Sequence, residues 1–207
     1  MFVSFDGTDG VGKSTQIELF TQWLSSLGCE YVFCRDPGST ALGDALRDIL
    51  LQKHDMAIDR RSEMFLYMTA RTQLVEEIIK PALAEEKLVV CDRYLLANIV
   101  YQGHAGGLDP ELVRQVGAVA TQGIQPALTF VLDMDVTAAR QRMNRELDRI
   151  ESQGLEYMED VRQGFLQEAA RYPDEIQVID ANRTINEIQA DIQQIAAERL
   201  NLPSRSI

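Results

Sequence analysis

Eight consecutive residues, Gly7-Thr8-Asp9-Gly10-Val11-Gly12-Lys13-Ser14, have the types and the spacing needed to hold a polyphosphate. Glycines let backbone N–H groups curl around phosphate oxygens where a Cβ would block the approach. Lys13 is placed to reach β- and γ-phosphates, and the Ser14 hydroxyl to ligate Mg²⁺. The stretch follows an apolar run, Phe2–Asp6, and opens the helical pattern Thr15-Gln16-Ile17-Glu18-Leu19. A phosphate there would also meet the positive end of a helix. The alternative is a glycine-rich turn that binds nothing. The full G-x-x-x-x-G-K-S match, set between a strand and a helix, argues against it.

Three other groups of residues could act on a second ligand. Leu88-Val89-Val90-Cys91-Asp92-Arg93-Tyr94 is an apolar strand ending in an acid and a base, and the carboxyl ends of strands are where doubly wound sheets bind ligands. Asp92 could hold Mg²⁺ or its water and Arg93 could bridge two phosphates, or the two could form a structural ion pair. Met64, Tyr67, Arg71, Leu74 and Ile78 fall on one face of a helical pattern. Burying a guanidinium alone is costly, so Arg71 must meet either a carboxylate or a ligand. Tyr67, one turn earlier, is placed to stack on a flat ring. On periodicity alone, a core tyrosine beside a salt bridge is the simpler reading. The third group is Arg140, Arg142, Arg145 and Arg149, four arginines within ten residues of an acidic chain. They either trap an anion over a phosphate site or decorate a solvated helix. In the helix, Arg142–Glu146 would attract and Arg145–Arg149 repel, and the repulsion favours a ligand.

The elements that must position these residues alternate along the chain. Candidate strands are Phe2–Asp6, Cys29–Cys34, Leu88–Asp92, Leu128–Asp133 and Ile176–Asp180. Several are unbroken apolar runs, as expected where helices cover both faces of a parallel sheet. Helical patterns lie near 13–27, 41–51, 61–80, 109–122, 136–148, 157–171 and 184–199. This predicts an α/β fold: a single doubly wound domain over 1–207 with a five-stranded parallel sheet and helices on both faces. The tail 201–207 is expected to fray. At 207 residues, with 45% hydrophobic and 25% charged residues, the chain has ample material for a core. No run is long and apolar enough for a membrane span, and the N-terminus does not have the pattern of a signal peptide. The net charge of −12 makes nucleic acid and anionic membranes poor partners. Cys29, Cys34 and Cys91 lack disulfide or metal spacing and read as reduced thiols of a cytoplasmic protein.

Taken together, these motifs resemble the thymidylate kinase family almost end to end. Phe5 to Thr15 is similar to the family's P-loop, and implies ATP binding by Gly7, Thr8, Asp9, Gly10, Val11, Gly12, Lys13, Ser14 and Thr15, with Mg²⁺ at Ser14, Asp9 and Asp92. In the family the internal acid, here Asp9, also approaches the acceptor sugar. Arg35-Asp36-Pro37-Gly38-Ser39-Thr40 resembles the Arg-Glu-Pro-Gly-Gly-Thr loop, whose arginine binds the acceptor phosphate. Tyr67 and Arg71 stand where the family stacks and hydrogen-bonds thymine. Asp92-Arg93-Tyr94 matches an Asp-Arg-Tyr/His signature, and Asn98, Tyr101 and Gln102 follow at the spacing of pocket residues. In that comparison Tyr101 crowds the ribose 2′ position. Glu146-Leu147-Asp148-Arg149-Ile150-Glu151 resembles a short lid, here about 140–155. With no basic residue between Thr8 and Val11 the catalytic arginines should come from that lid, Arg142 and Arg149 being assigned beside Lys13, Arg93 and Asp9. The resemblance implies phosphoryl transfer from ATP to dTMP with Mg²⁺, in a homodimer. Departures are Asp6 and Asp36 where Glu is commoner, Ser39 for Gly, Tyr67 for Phe, and Leu95-Leu96-Ala97 where many members have an acid and serines. Another monophosphate kinase, or a P-loop module that only binds, are the competing readings. A GTPase switch is disfavoured because neither Asn-Lys-x-Asp nor an Asp-x-x-Gly outside the P-loop occurs.

Overall fold

The computed structural model describes residues 1–53 and 56–202. The strands β1 (Phe2–Asp6), β2 (Tyr31–Arg35), β3 (Leu88–Asp92), β4 (Leu128–Asp133) and β5 (Ile176–Asp180) form one parallel sheet in the order β2-β3-β1-β4-β5. β1 is central: Phe2 to Phe5 pair with Val89 to Asp92, and Val3 to Asp6 pair with Leu128 to Val131. That register brings the ends of β1 and β3, and so Asp6, Asp92 and the P-loop, to one edge of the sheet.

The alternation of side chains along each strand assigns the two faces. Val3, Phe5, Val90, Phe130 and Leu132 pack under α1 (Lys13–Ser26) and α9 (Ile185–Leu200) through Phe20, Leu24, Ile188 and Ile192. Phe5 stands 5.4 Å from Phe20 and 5.2 Å from Phe130, centroid to centroid. On the other face, Cys34, Val89 and Cys91 meet Met64, Met68 and Leu74 of α3 (Arg60–Leu74) and Val113 of α6 (Pro110–Thr121). Val131 packs on Val161 and Phe165 of α8 (Leu155–Arg171). Helices therefore cover both faces, as the unbroken apolar runs require. α2 (Ala41–Leu51) packs beside α3.

Four local expectations are corrected. β2 starts at Tyr31, not Cys29, because Gly28 (φ +72°) and Cys29 close α1: the Gly28 N–H donates to Ser25 O and the Cys29 N–H to Leu24 O. The pattern near 61–80 is α3, then a π-helical turn at Val75–Ile79, then α4 (Lys80–Ala84). The segment after β3, where the sequence reading names no helical pattern, is α5 (Leu95–Asn98) running into a second π-helical turn at Ile99–His104. The pattern at 136–148 yields only α7 (Val136–Gln141). Beyond it, Asp148 and Glu151 bond each other's backbone: the Asp148 N–H donates to Glu151 Oε2 and the Glu151 N–H to Asp148 Oδ1. Because α7 ends at Gln141, the Arg142–Glu146 and Arg145–Arg149 helical pairs do not form.

Asn201 caps α9 at φ +50° and Leu202 is buried against the core, so the tail is held at its first two residues. Residues 203–207 lie outside the described ones. Cys34 and Cys91 are buried, Cys29 is half-buried, and all three are free thiols. No described helix is long and apolar enough to cross a membrane.

Gly7 has φ +125°, and a Cβ there would stand 2.4 Å from the Leu132 carbonyl oxygen of β4. Gly7→Ala therefore combines backbone strain with a backbone clash. It is expected to destabilise the fold by about 2 kcal/mol or more, which chemical denaturation of the two proteins checks.

Candidate active site

The P-loop leaves β1 at Gly7 and enters α1 through Gly12 (φ +99°). Gly10 (φ +85°) lies so close to α7 that a Cβ would stand 2.2 Å from Ala139 O. Lys13 is buried and bends back over the loop, its Nζ donating to Gly7 O (3.1 Å) and Thr8 O (2.7 Å) and lying 3.6 Å from Asp9. Arg93 follows β3 in the left-handed region (φ +66°), an unusual conformation for a residue with a Cβ. Its Nη1 donates to Gly7 O (2.9 Å), its Nη2 to Asp9 Oδ1 (2.8 Å), and its guanidinium lies over the Tyr101 ring at 5.1 Å. Burial alone would raise the Asp9 carboxyl, but the charges of Arg93 and Lys13 outweigh it and hold Asp9 well below the usual carboxylate range.

Asp9 lines two cavities. On one side it shares about 290 Å³ with Thr8, Ala139, Arg140 and Leu147, between the P-loop and the segment after α7. On the other it joins Tyr67, Arg71, Arg93, Asn98, Tyr101 and Gln102 around a narrower space of about 70 Å³. The structure thus collects from α3, β3, α5 and the second π-helical turn the residues expected to hold the acceptor. Arg35 is the exception. It is exposed and faces a third cavity, of about 370 Å³, which it shares with Ser14 and Asp92. Arg47 of α2, which the sequence did not single out, lines the acceptor-side cavity in its place, with Nη1 donating to Pro37 O (3.0 Å). Burial and the nearby charges of Arg35 and Arg93 lower its pKa.

Arg71 meets a carboxylate. Its Nε donates to Asp36 Oδ2 (2.5 Å), its Nη1 to Asn98 Oδ1 (2.8 Å) and Met68 Sδ (3.2 Å), and its Nη2 to Tyr94 O (3.3 Å). The apolar-face arginine is therefore a buried ion pair, the simpler of the two readings, and it also lines the cavity. Burial pushes the Asp36 carboxyl up and Arg71 pulls it back. Asn98 supports Arg71 with its oxygen, while its Nδ2 donates to Gln102 Oε1 (2.6 Å). Gln102 Nε2 donates in turn to Glu63 Oε1 (2.9 Å). Glu63 is fully buried on the first turn of α3. An acid following a run of polar residues (Arg60, Arg61, Ser62) gives no hint of this from sequence.

The arginines of 140–149 diverge. Arg149 turns inward: its Nε donates to Leu50 O (2.7 Å) and its Nη2 to Glu63 Oε2. Arg142 Nη1 lies 3.4 Å from Ala181 O. Arg145 pairs with Glu151 (2.5 Å), and its charge is felt at Asp9. Arg140 lines the cavity beside the P-loop.

Residues 5–192 match the sequence model of the family described as Thymidylate kinase. A thymidylate kinase of Symbiobacterium thermophilum is 42% identical over 202 residues, 97% of this chain and 94% of that protein. One of Kosmotoga olearia is 41% identical over 194 residues, 93% of each. The crystal structure of thymidylate kinase from Ehrlichia chaffeensis superimposes with a TM-score of 0.78 at 28% identity, covering 94% of this chain and 97% of that one. The chain belongs to the thymidylate kinase family.

Two features mark this member of the thymidylate kinases. Ser39, where the family pattern has glycine, takes a left-handed conformation (φ +66°), and its hydroxyl accepts from the Arg35 N–H (2.9 Å). Asp6 is fully buried, and neither carboxylate oxygen has a partner among the described residues. Burial raises its pKa to about 7 against the pull of Arg93 and Lys13. The folded value exceeds the ordinary 3.8, so the folded state binds the proton more tightly and loses stability as pH rises from about 4 to about 7. Asp6→Asn removes that loss. Without nucleotide, it is expected to melt several degrees above the parent at pH 8, the gap closing toward pH 4 in paired thermal melts.

Proposed function

We propose that the chain transfers the γ-phosphoryl group of ATP to the 5′-phosphate of dTMP, giving dTDP and ADP. Family membership supports the reaction. The observation that carries the site assignment is Asp9 lining both cavities with Arg93 bonded across it to Gly7. In this reading the P-loop backbone from Gly7 to Thr15 takes the ATP phosphates, and Lys13 exchanges its two loop carbonyls for phosphate oxygens. Tyr67, Arg71, Asn98, Tyr101 and Gln102 frame the thymidine, Arg47 and Arg93 face its phosphate, and Arg35 stands further out.

The residues present fit Mg²⁺. Asp92 Oδ1 is buried without a partner among the described residues, and Asp92 and the Ser14 hydroxyl line one cavity. No three His, Cys, Asp or Glu side chains converge among the described residues, which suits an ion that arrives with the nucleotide's oxygens as its other ligands. Asp92 and Ser14 would hold the ion there, where it would supply charge neutralisation on the phosphates. Asp9 Oδ1 accepts from Arg93, so any part Asp9 takes in holding the ion would be shared with that bond.

The acceptor phosphate is ionised near neutral pH, so no strong general base is required. Its oxygen forms the new bond to the γ-phosphorus as the bond to the β-phosphate oxygen breaks and ADP leaves. The chain's part is positioning and charge neutralisation. Arg93 stands between the sites, and among the lid arginines the charge of Arg145 is felt at Asp9, while Arg142 Nη1 lies near Ala181 O. Arg149 is held by Glu63, the same carboxylate that receives Gln102. We also assign a cytoplasmic location, in keeping with three free thiols.

The homodimer implied by the family has a face to use. Phe65 of α3 and Leu112 and Val119 of α6 are 54%, 45% and 79% exposed on adjacent helices, an unusual set of apolar residues to leave in water.

Two outcomes are expected. Arg93→Ala should lower kcat by about 10²-fold or more with little change in ATP affinity, measured in a coupled ADP-release assay with dTMP, dUMP, CMP and GMP as acceptors. dTMP should be the preferred acceptor, and near-normal turnover of the variant would refute the assignment. Val119→Glu, at a site exposed in the single chain, should shift the protein from dimer to monomer in sedimentation velocity.

A further inference from the structure

Leu147 and Glu151 line the cavity beside the P-loop, while Asp148 and Ile150 line the cavity beside Tyr67 and Arg71. The segment between them is one wall with a nucleotide site on each side. Its central residue, Arg149, lines neither cavity. It is anchored by its Nη2 to Glu63, by its Nε to Leu50 O (2.7 Å) and by its N–H to Leu51 O (3.0 Å).

Glu63 has no exposed surface. One carboxylate oxygen accepts from Arg149, and the other accepts from Gln102 (2.9 Å) and Arg60 (3.2 Å). From Gln102 the bonds continue through Asn98 to Arg71 and end on Asp36. A buried carboxylate that loses its cation is strongly destabilised, so Arg149 cannot leave Glu63 without cost, and Gln102 is registered on the same group. The wall between the sites and the floor of the acceptor pocket thus share one charge.

We propose that Glu63 is a positioning residue that couples the two nucleotide sites, so that a nucleotide in either one tightens binding in the other. The inference rests on the assignment of the two cavities to ATP and dTMP. A nucleotide that settles the wall fixes Arg149 on Glu63, and through it Gln102 and Asn98. The second nucleotide then meets a pocket already ordered. Linkage makes the effect reciprocal.

Calorimetric titration of the full chain with dTMP tests this, alone and with Mg²⁺ and a saturating β,γ-imido analogue of ATP. In the parent the analogue should tighten dTMP by at least about fivefold. In Glu63→Gln, which keeps the shape and removes the charge, dTMP alone should bind within about threefold of the parent while the analogue's effect falls below about twofold. If Glu63→Gln does not fold, the double variant Glu63→Gln with Arg149→Met removes the unpaired cation and is read by the ratio alone: the analogue should change its dTMP affinity by less than about twofold, whatever its affinity for dTMP alone. Equal tightening in parent and variant, or none in the parent, overturns the coupling. A role in packing alone would weaken dTMP in both conditions and leave their ratio unchanged, which also overturns it. A parent that binds the analogue but not dTMP would remove the functional reading itself, and this inference with it.

Discussion

The site hangs on how one guanidinium is held. The Arg93 N–H donates to Phe5 O (2.9 Å), which carries the β1–β3 ladder one residue past the end of β3. Its left-handed backbone then turns the side chain across the mouth of the sheet. From there it reaches Gly7 O, Asp9 and the Tyr101 ring together. Strand register, P-loop and acceptor wall are thereby fixed relative to one another by a residue whose backbone is itself strained. Strain of this kind persists only where surrounding structure over-determines it, and here the ladder bond and three side-chain contacts do so.

Around Arg93 lie more buried charges than a stable fold needs. Asp6, Asp36 and Glu63 are fully or almost fully buried, as are Arg71 and Lys13. An ion pair such as Arg71–Asp36 contributes little net stability over an apolar pair of the same shape, but removing one partner is costly. What the pair supplies is position. Arg71 is bonded on three of its nitrogens, so its plane is fixed before any base arrives, and the entropy of ordering it is not charged to binding. Asp6, with no partner at all among the described residues, carries the cost in the opposite sense.

The parts of this arrangement legible in the sequence are those set by local chemistry. The P-loop, the ends of β1, β3, β4 and β5, and the face shared by Tyr67 and Arg71 follow from composition and period. Arg71's need for a partner was also legible, but not that the partner is Asp36, 35 residues earlier across a loop. The helical pattern at 136–148 ends at Gln141, and the segment beyond it closes on a reciprocal Asp148–Glu151 clasp that has no periodic signature. The π-helical turns at Val75 and Ile99 insert a residue into a 3.6-residue period, so apolar spacing blurs there. Arg47 and Glu63 were missed for one reason: each looks like a surface charge until the tertiary fold covers it.

The distribution of charge resolves an apparent conflict. A chain of net charge −12 has to draw two anions together. At physiological ionic strength the screening length is about 8 Å, so the acids scattered over the surface are largely silent at the site, whereas Lys13, Arg47, Arg71 and Arg93 act across short, poorly hydrated distances. Among the described residues Asp9 is the one acid lining both cavities, and its charge persists because Arg93 and Lys13 hold it there. The reverse also holds. Two cations this close repel, and burial together with Arg93 already pushes Lys13 below its usual pKa. The Asp9 carboxylate opposes that fall, together with Asp92 and Asp6, and lies between the two cations, so an acid placed where two phosphates must meet offsets the repulsion between the cations that receive them.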